Sequence, residues 1–138
     1  MEKTVACRRI CAGIGEGEAL VCREPIGFNF SIDVATGRVI EHGHSLEGVS
    51  IKDKVLIFPY GKGSTGGSYV VYQLACAKTG PAAIINLNTE TIIASGAIMG
   101  GIPTVDHLEE DPYEFISTGD FVRVNADEGT VTVVKKEG

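Results

Sequence analysis

The chain has 138 residues, which at roughly 150 residues per domain is the length of one domain. Twelve Lys and Arg face 18 Asp and Glu, a formal net charge of −6. Such a balance argues against a nucleic-acid-binding face, because phosphate neutralisation needs clustered cations. With 43% hydrophobic and 22% charged residues the chain can bury a core and is not of disordered composition. No apolar run approaches the roughly 18 residues of a membrane span.

Met1-Glu2-Lys3-Thr4 opens a short apolar stretch broken by Arg8 and Arg9. It lacks the apolar core and cleavage site of a signal peptide, so a cytoplasmic location is expected. Short strands are predicted over residues 5–11, 19–23, 28–34 and 38–41, with the glycine-rich run 13–17, Pro25-Ile26-Gly27 and Ala35-Thr36-Gly37 as the turns between them. Residues 41–48 form a polar connection. Lys54-Val55-Leu56-Ile57-Phe58, ended by Pro59, reads as a fully buried strand. Glycine is the strongest compositional signal, 18 of 138 residues against an average of about 7%, and it concentrates in residues 61–68. Behind that run, residues 69–78 read as a buried helix with a Ser or Thr cap, ended by Gly80-Pro81. Residues 82–86 form another apolar strand, making a βαβ crossover with parallel strands. Residues 92–99 are too evenly apolar to assign to helix or strand, and a short strand starts in residues 100–105. Residues 121–125 and 130–134 flank Asp127-Glu128-Gly129 as a closing hairpin. The fold class is therefore α/β, β-rich with a central βαβ crossover, in one domain over residues 1–138.

Chemistry is best placed in residues 61–68, which follow a buried strand and open a helix. Glycine lets backbone approach a ligand, and a helix start offers unpaired N–H groups and positive potential to a phosphate or carboxylate. The segment is not a Walker A loop, since Lys62 precedes Gly63. A nucleophile elbow would need glycine at position 62. The competing local reading is a turn in which Ser64 or Thr65 caps the helix.

Other candidates are weaker. His42 and His44 flank Gly43 in a loop and read as solvated, with ligand or acid–base work as the minority reading. His107 lies in the acidic stretch 106–111, expected to be a solvated surface loop. Asp33 reads as a turn residue. Cys7, Cys11, Cys22 and Cys76 match neither a zinc nor an iron–sulfur spacing and read as buried thiols, so no metal site is expected in this chain. A serine hydroxyl is too weakly acidic to act as a base unaided and needs nearby positive charge; no histidine and carboxylate are arranged with Ser64 as a triad.

Residues 33–40, 44–48, 54–68, 83–86 and 96–103, with Gly61-Lys62-Gly63-Ser64-Thr65-Gly66-Gly67-Ser68 at their centre, together resemble the small subunit of the aconitase X family in order and spacing. The resemblance implies a swivelling β/β/α domain that docks on a large subunit carrying an iron–sulfur cluster. It implies a hydro-lyase reaction, dehydration of mevalonate 5-phosphate to trans-anhydromevalonate 5-phosphate in the archaeal route to isoprenoids, with Ser64 as proton acceptor. Lys62, Gly63, Thr65 and Gly66 are the substrate-binding candidates around it. Relatives of aconitase X type act on other hydroxy acids such as 3-hydroxyproline. A non-catalytic module binding a phosphorylated ligand uses the same residues without chemistry. A phosphohistidine carrier does not fit, because residues 61–68 contain no histidine.

Overall fold

The computed structural model describes residues 2–136; Met1, Glu137 and Gly138, which the one-domain reading also includes, lie outside the described residues. The elements in chain order are β1 (Glu2–Ala6), β2 (Arg8–Cys11), β3 (Ile14–Val21), α1 (Phe28–Ser31), β4 (Val55–Phe58), α2 (Gly66–Ala77), β5 (Ala83–Asn86), α3 (Thr91–Gly100), β6 (Thr104–Asp106), α4 (Pro112–Phe115), β7 (Phe121–Asn125) and β8 (Thr130–Val134). The strands line up as β1-β8-β7-β3-β4-β5-β6-β2. From β3 to β6 neighbours are parallel, while β1-β8-β7-β3 and β6-β2 are antiparallel. The two end strands of this row, β1 and β2, are separated in the chain by Cys7 alone. The row therefore curls until its ends meet.

Alternation along the parallel strands sorts the apolar residues into two cores. Val55 and Ile57 of β4 and Ala83 and Ile85 of β5 pack with Val122, Val124, Val131 and Val133, between the two halves of the curled sheet. Leu56, Phe58 and Ile84 point the other way, against Val71 and Leu74 of α2 and Ile93 and Ala97 of α3. All four residues of β4 and all four of β5 are buried. That explains their unbroken apolar runs: each such strand is covered on both faces, and each fully buried branched side chain contributes roughly 1.5–3 kcal/mol. The layers are sheet, sheet and helix, the swivelling β/β/α arrangement the family resemblance implied. No helix among the described residues is long and apolar enough to cross a membrane.

Helix α2 ends where Lys78 takes the left-handed conformation at φ 61° and its N–H reaches the carbonyls of Ala75 and Leu74. Helix α3, left unassigned from sequence, approaches α2 closely because Gly96 has no side chain; a Cβ there would lie 2.7 Å from Val71 Cβ. Other expectations need correction. The predicted strand 5–11 is two strands in different parts of the row. The strand predicted from residue 19 starts at Ile14 and runs through the supposed turn 13–17. Gly15 belongs in it because a Cβ there would strike the Ala82 carbonyl. Residues 28–34 open with the single helical turn α1 rather than a strand. Residues 38–41 make isolated bridges only, Arg38 with Ser50 and Val39 with Ile32.

Candidate functional site

Three segments meet at the carboxyl ends of the parallel strands: residues 22–31 after β3, 59–65 after β4 and 87–90 after β5. Open α/β sheets bind ligands at this end. The first two are tied by backbone pairing. Ile26 N–H donates to the Tyr60 carbonyl at 3.4 Å, and Lys62 N–H donates to the Ile26 carbonyl at 3.0 Å. The third is tied by Leu87 N–H, which donates to the Pro59 carbonyl at 3.1 Å.

Ser64 is exposed at the start of α2. Its hydroxyl does not cap the helix: Thr65 is the N-cap residue, and its side chain makes no capping bond. The expectation of a Ser or Thr cap is thereby corrected. The first turn closes instead through the backbone, Gly67 N–H to the Ser64 carbonyl at 3.0 Å and Ser68 N–H to the Thr65 carbonyl at 3.2 Å. Ser64 Oγ accepts a hydrogen bond from Asn29 Nδ2 at 2.9 Å. Gly63 beside it has φ +98°, and a Cβ there would lie 2.7 Å from Asn29 Oδ1. Glycine at 63 is thus required twice, for the backbone angle and for Asn29. The N–H groups of Gly63, Ser64 and Thr65 find no partner among the described residues; together with the α2 dipole they make a positive rim.

Lys62 is half-buried. Its ammonium donates to Glu41 Oε2 at 3.3 Å and stands 5.7 Å from the Phe30 ring centre. The Ser31 hydroxyl also donates to Glu41. That hydrogen bond, opposed by partial burial and reinforced by Lys62, holds the Glu41 carboxyl below its ordinary range. Asn29, Ser31 and Glu41 were not singled out from sequence. The one available signal for Asn29 and Ser31 was two polar side chains interleaved with Phe28 and Phe30.

The remaining candidates do not join Ser64. His42 is exposed, 3.4 Å from Glu47. His44 is buried, contrary to the solvated reading: its Nδ1 accepts from Leu46 N–H at 3.0 Å and its Nε2 lies 3.4 Å from the Pro25 carbonyl. Asp33 forms the expected turn, accepting from the Thr36 and Gly37 N–H groups. His107 is exposed, but Asp106 beside it is fully buried, so that end of the acidic stretch is not a solvated loop. Arg8 holds Asp106 through two bonds of 2.8 Å, and Thr89 N–H donates to it at 2.7 Å. Burial pushes the Asp106 carboxyl up, but these bonds outweigh it and leave it below the usual range.

The cysteines do not fit an iron–sulfur cluster. Cys11 and Cys22 are buried, Cys7 half-buried and Cys76 exposed, so the buried-thiol reading fails for Cys76. Among the described residues, Cys22, Glu24 and His44 bring three ligand-type atoms within 4.8 Å of one another, with one thiol. Backbone donors already occupy the carboxylate and imidazole: Ser45 N–H bonds Glu24 at 2.6 Å and Leu46 N–H bonds His44. Two surface hollows, one lined by Asp53, Lys78 and Gly101 and the other by Arg23, Tyr113 and Thr118, do not include Ser64. Ser64 stands on an open rim.

The chain is similar to known proteins along most of its length. The aconitase X swivel domain family matches residues 4–133. The phosphomevalonate dehydratase small subunit of Methanosarcina mazei is 57% identical over 94% of this chain and 90% of its own length. The protein of the same name from Methanothermobacter thermautotrophicus is 53% identical over 92% of this chain and 97% of its own. The crystal structure of Thermococcus kodakaraensis aconitase X in its holo form superposes with a TM-score of 0.90 at 42% identity, covering 96% of this chain and 99% of that one. The 3-isopropylmalate dehydratase structure from Methanocaldococcus jannaschii shares the fold alone, at a TM-score of 0.59 and 17% identity over 91% of this chain and 84% of its own. By the family match over residues 4–133 and by relatives more than half identical along nearly the whole chain, the protein belongs to the aconitase X swivel domain family.

Proposed function

We propose that the whole chain works as one swivelling body, the small subunit of an archaeal hydro-lyase that dehydrates mevalonate 5-phosphate to trans-anhydromevalonate 5-phosphate, with Ser64 as proton acceptor. Relatives named phosphomevalonate dehydratase small subunit support the substrate. The observation that carries the role of Ser64 is its hydroxyl, exposed at an uncapped helix start and held by Asn29 instead of by the helix.

The reaction removes a proton from the carbon next to the carboxylate and expels the hydroxyl of the neighbouring carbon as hydroxide, leaving a carbon–carbon double bond; the proton and the hydroxide together make up the water lost. Ser64 Oγ takes the proton. Its pKa must fall for this to occur near neutrality, and the N-terminus of α2 and the nearby Lys62 charge favour the alkoxide. Lys62, Gly63, Thr65 and Gly66 bind the anionic substrate, Gly63 and Thr65 through the N–H rim and Gly66 as the first residue of α2.

The aconitase X resemblance implies an iron–sulfur cluster held by the large subunit, and the single thiol in the cluster of ligand-type atoms found among the described residues fits that reading. Ser64, exposed at the start of α2, is placed where a facing subunit could complete the site. Phe30, Ile40, Tyr60 and Leu87, on segments that border the Ser64 loop, expose between 41 and 57% of their surface, an apolar edge suited to docking.

The test is anaerobic reconstitution with the large subunit and assay of mevalonate 5-phosphate dehydration. Turnover that requires both chains and collapses in Ser64→Ala supports the substrate and the base together. Turnover retained in Ser64→Ala removes Ser64 as base and leaves the substrate. No turnover by wild type with an intact cluster removes the substrate and redirects the assay to 3-hydroxyproline-type hydroxy acids or to phosphate binding by this chain alone.

A further inference from the structure

Resting on the reading of Ser64 as proton acceptor, we infer that Asn29 is a positioning residue for it: the Asn29 amide orients Ser64 Oγ and stabilises the alkoxide form by donating a hydrogen bond to it. Three observations converge on this side chain. Asn29 Nδ2 donates to Ser64 Oγ at 2.9 Å. The glycine before Ser64 is fitted to Asn29: a Cβ on Gly63 would lie 2.7 Å from its Oδ1. Asn29 itself sits in α1, which is anchored by the buried neighbours Phe28 and Ser31 and by the Ser31 N–H bond to the Gly27 carbonyl at 2.9 Å. The amide thus projects from an anchored turn onto an exposed hydroxyl.

Chemically, a donor bonded to the charged form of an acid lowers its pKa. Asn29 carries no charge and needs no proton transfer of its own. During the reaction its N–H stays in place while Ser64 Oγ gains the substrate proton, and the hydrogen bond weakens as the charge on oxygen disappears. Lys62 cannot substitute for this directional bond, because its ammonium is turned toward Glu41.

The experiment uses the complex of this chain with its large subunit and measures kcat and KM for mevalonate 5-phosphate from pH 6 to 10 in wild type, Ser64→Ala, Asn29→Ala and Asn29→Asp. Loss of the donor is expected to move the rising limb of kcat about one unit toward higher pH, which is about a tenfold loss of kcat near neutrality, with KM unchanged. Asn29→Asp keeps the side-chain size but places a carboxylate beside the oxygen, so it is expected to lose more than Asn29→Ala. An unchanged limb in both variants, with Ser64→Ala inactive, overturns the role of Asn29 and leaves Ser64 as base. Activity in Ser64→Ala overturns both. A fall in kcat at all pH values without displacement of the limb, or Asn29→Asp as active as wild type, also overturns the proposal, because scaffolding alone would produce either.

Discussion

Two turns of this protein have the same place in the fold and opposite fates. Each leaves a fully buried parallel strand and opens a helix: residues 59–65 between β4 and α2, residues 87–90 between β5 and α3. The second is closed. Glu90 caps α3 with both carboxylate oxygens, accepting from Ile92 N–H at 2.8 Å and Ile93 N–H at 2.9 Å, and Thr89 N–H is bound by buried Asp106. In the first, Thr65 caps nothing with its side chain and Ser64 turns to Asn29. Local stability available to one helix start is left unused at the other, which is what the proposed substrate-binding role of that rim calls for.

Substitutions can break this contrast. Ser64→Ala should reduce kcat of the reconstituted complex by about 10³-fold, within the range for loss of a positioned base, and leave the thermal midpoint of the chain unchanged because no cap is lost. Asp106→Ala, at the end of β6 where the carboxylate holds the closed turn, should destabilise by about 2–3 kcal/mol in urea unfolding, since it orphans the Thr89 N–H and removes a charge-assisted pair. The same carboxyl makes the closed turn acid-sensitive. Its folded pKa lies below its unfolded value, so its contribution is complete above about pH 4 and is lost as pH falls through the folded pKa. The drop in stability on acidification should therefore shrink in Asp106→Ala. Gly63→Ala should cost about 1–2 kcal/mol for a side chain at positive φ and should lower activity by displacing Asn29. Smallest is the capping pair: Glu90→Ala costs about 1 kcal/mol, whereas Thr65→Ala leaves the melting temperature in place.

The sequence showed the open turn better than the closed one. Continuous apolar runs marked β4 and β5, and turn chemistry at Asp127-Glu128-Gly129 marked the β7–β8 hairpin to the residue, because those signals are local. Helix α3 escaped detection since its glycines and small residues serve packing against α2, which flattens the contrast between its faces. Phe28-Asn29-Phe30-Ser31 alternates like a strand yet folds as a turn of helix, held by Gly27 and by contact with α2. Ser64 was legible through the glycines around it and the family resemblance. Asn29 and Glu41 were not, because what recruits them is the docking of residues 22–31 on the β4–α2 turn, a contact between segments more than thirty positions apart for Asn29 and Ser64. His44 reads as solvated in the sequence because part of what covers it comes from another segment, the Pro25 carbonyl facing its Nε2.

The meeting of the sheet's ends at Cys7 also bears on how the molecule is made. Glu2 to Ala6 pair with Val134 to Thr130, and Arg8 to Cys11 pair with Asp106 to Thr104, so the strands on either side of Cys7 find their partners far along the chain. Contacts of such sequence separation are costly in loop entropy and slow to form. The middle of the chain, from β4 through β6, can assemble earlier from neighbouring segments. Until β8 is in place, β1 stays an unpaired strand, and sealing of the sheet awaits the β7–β8 hairpin.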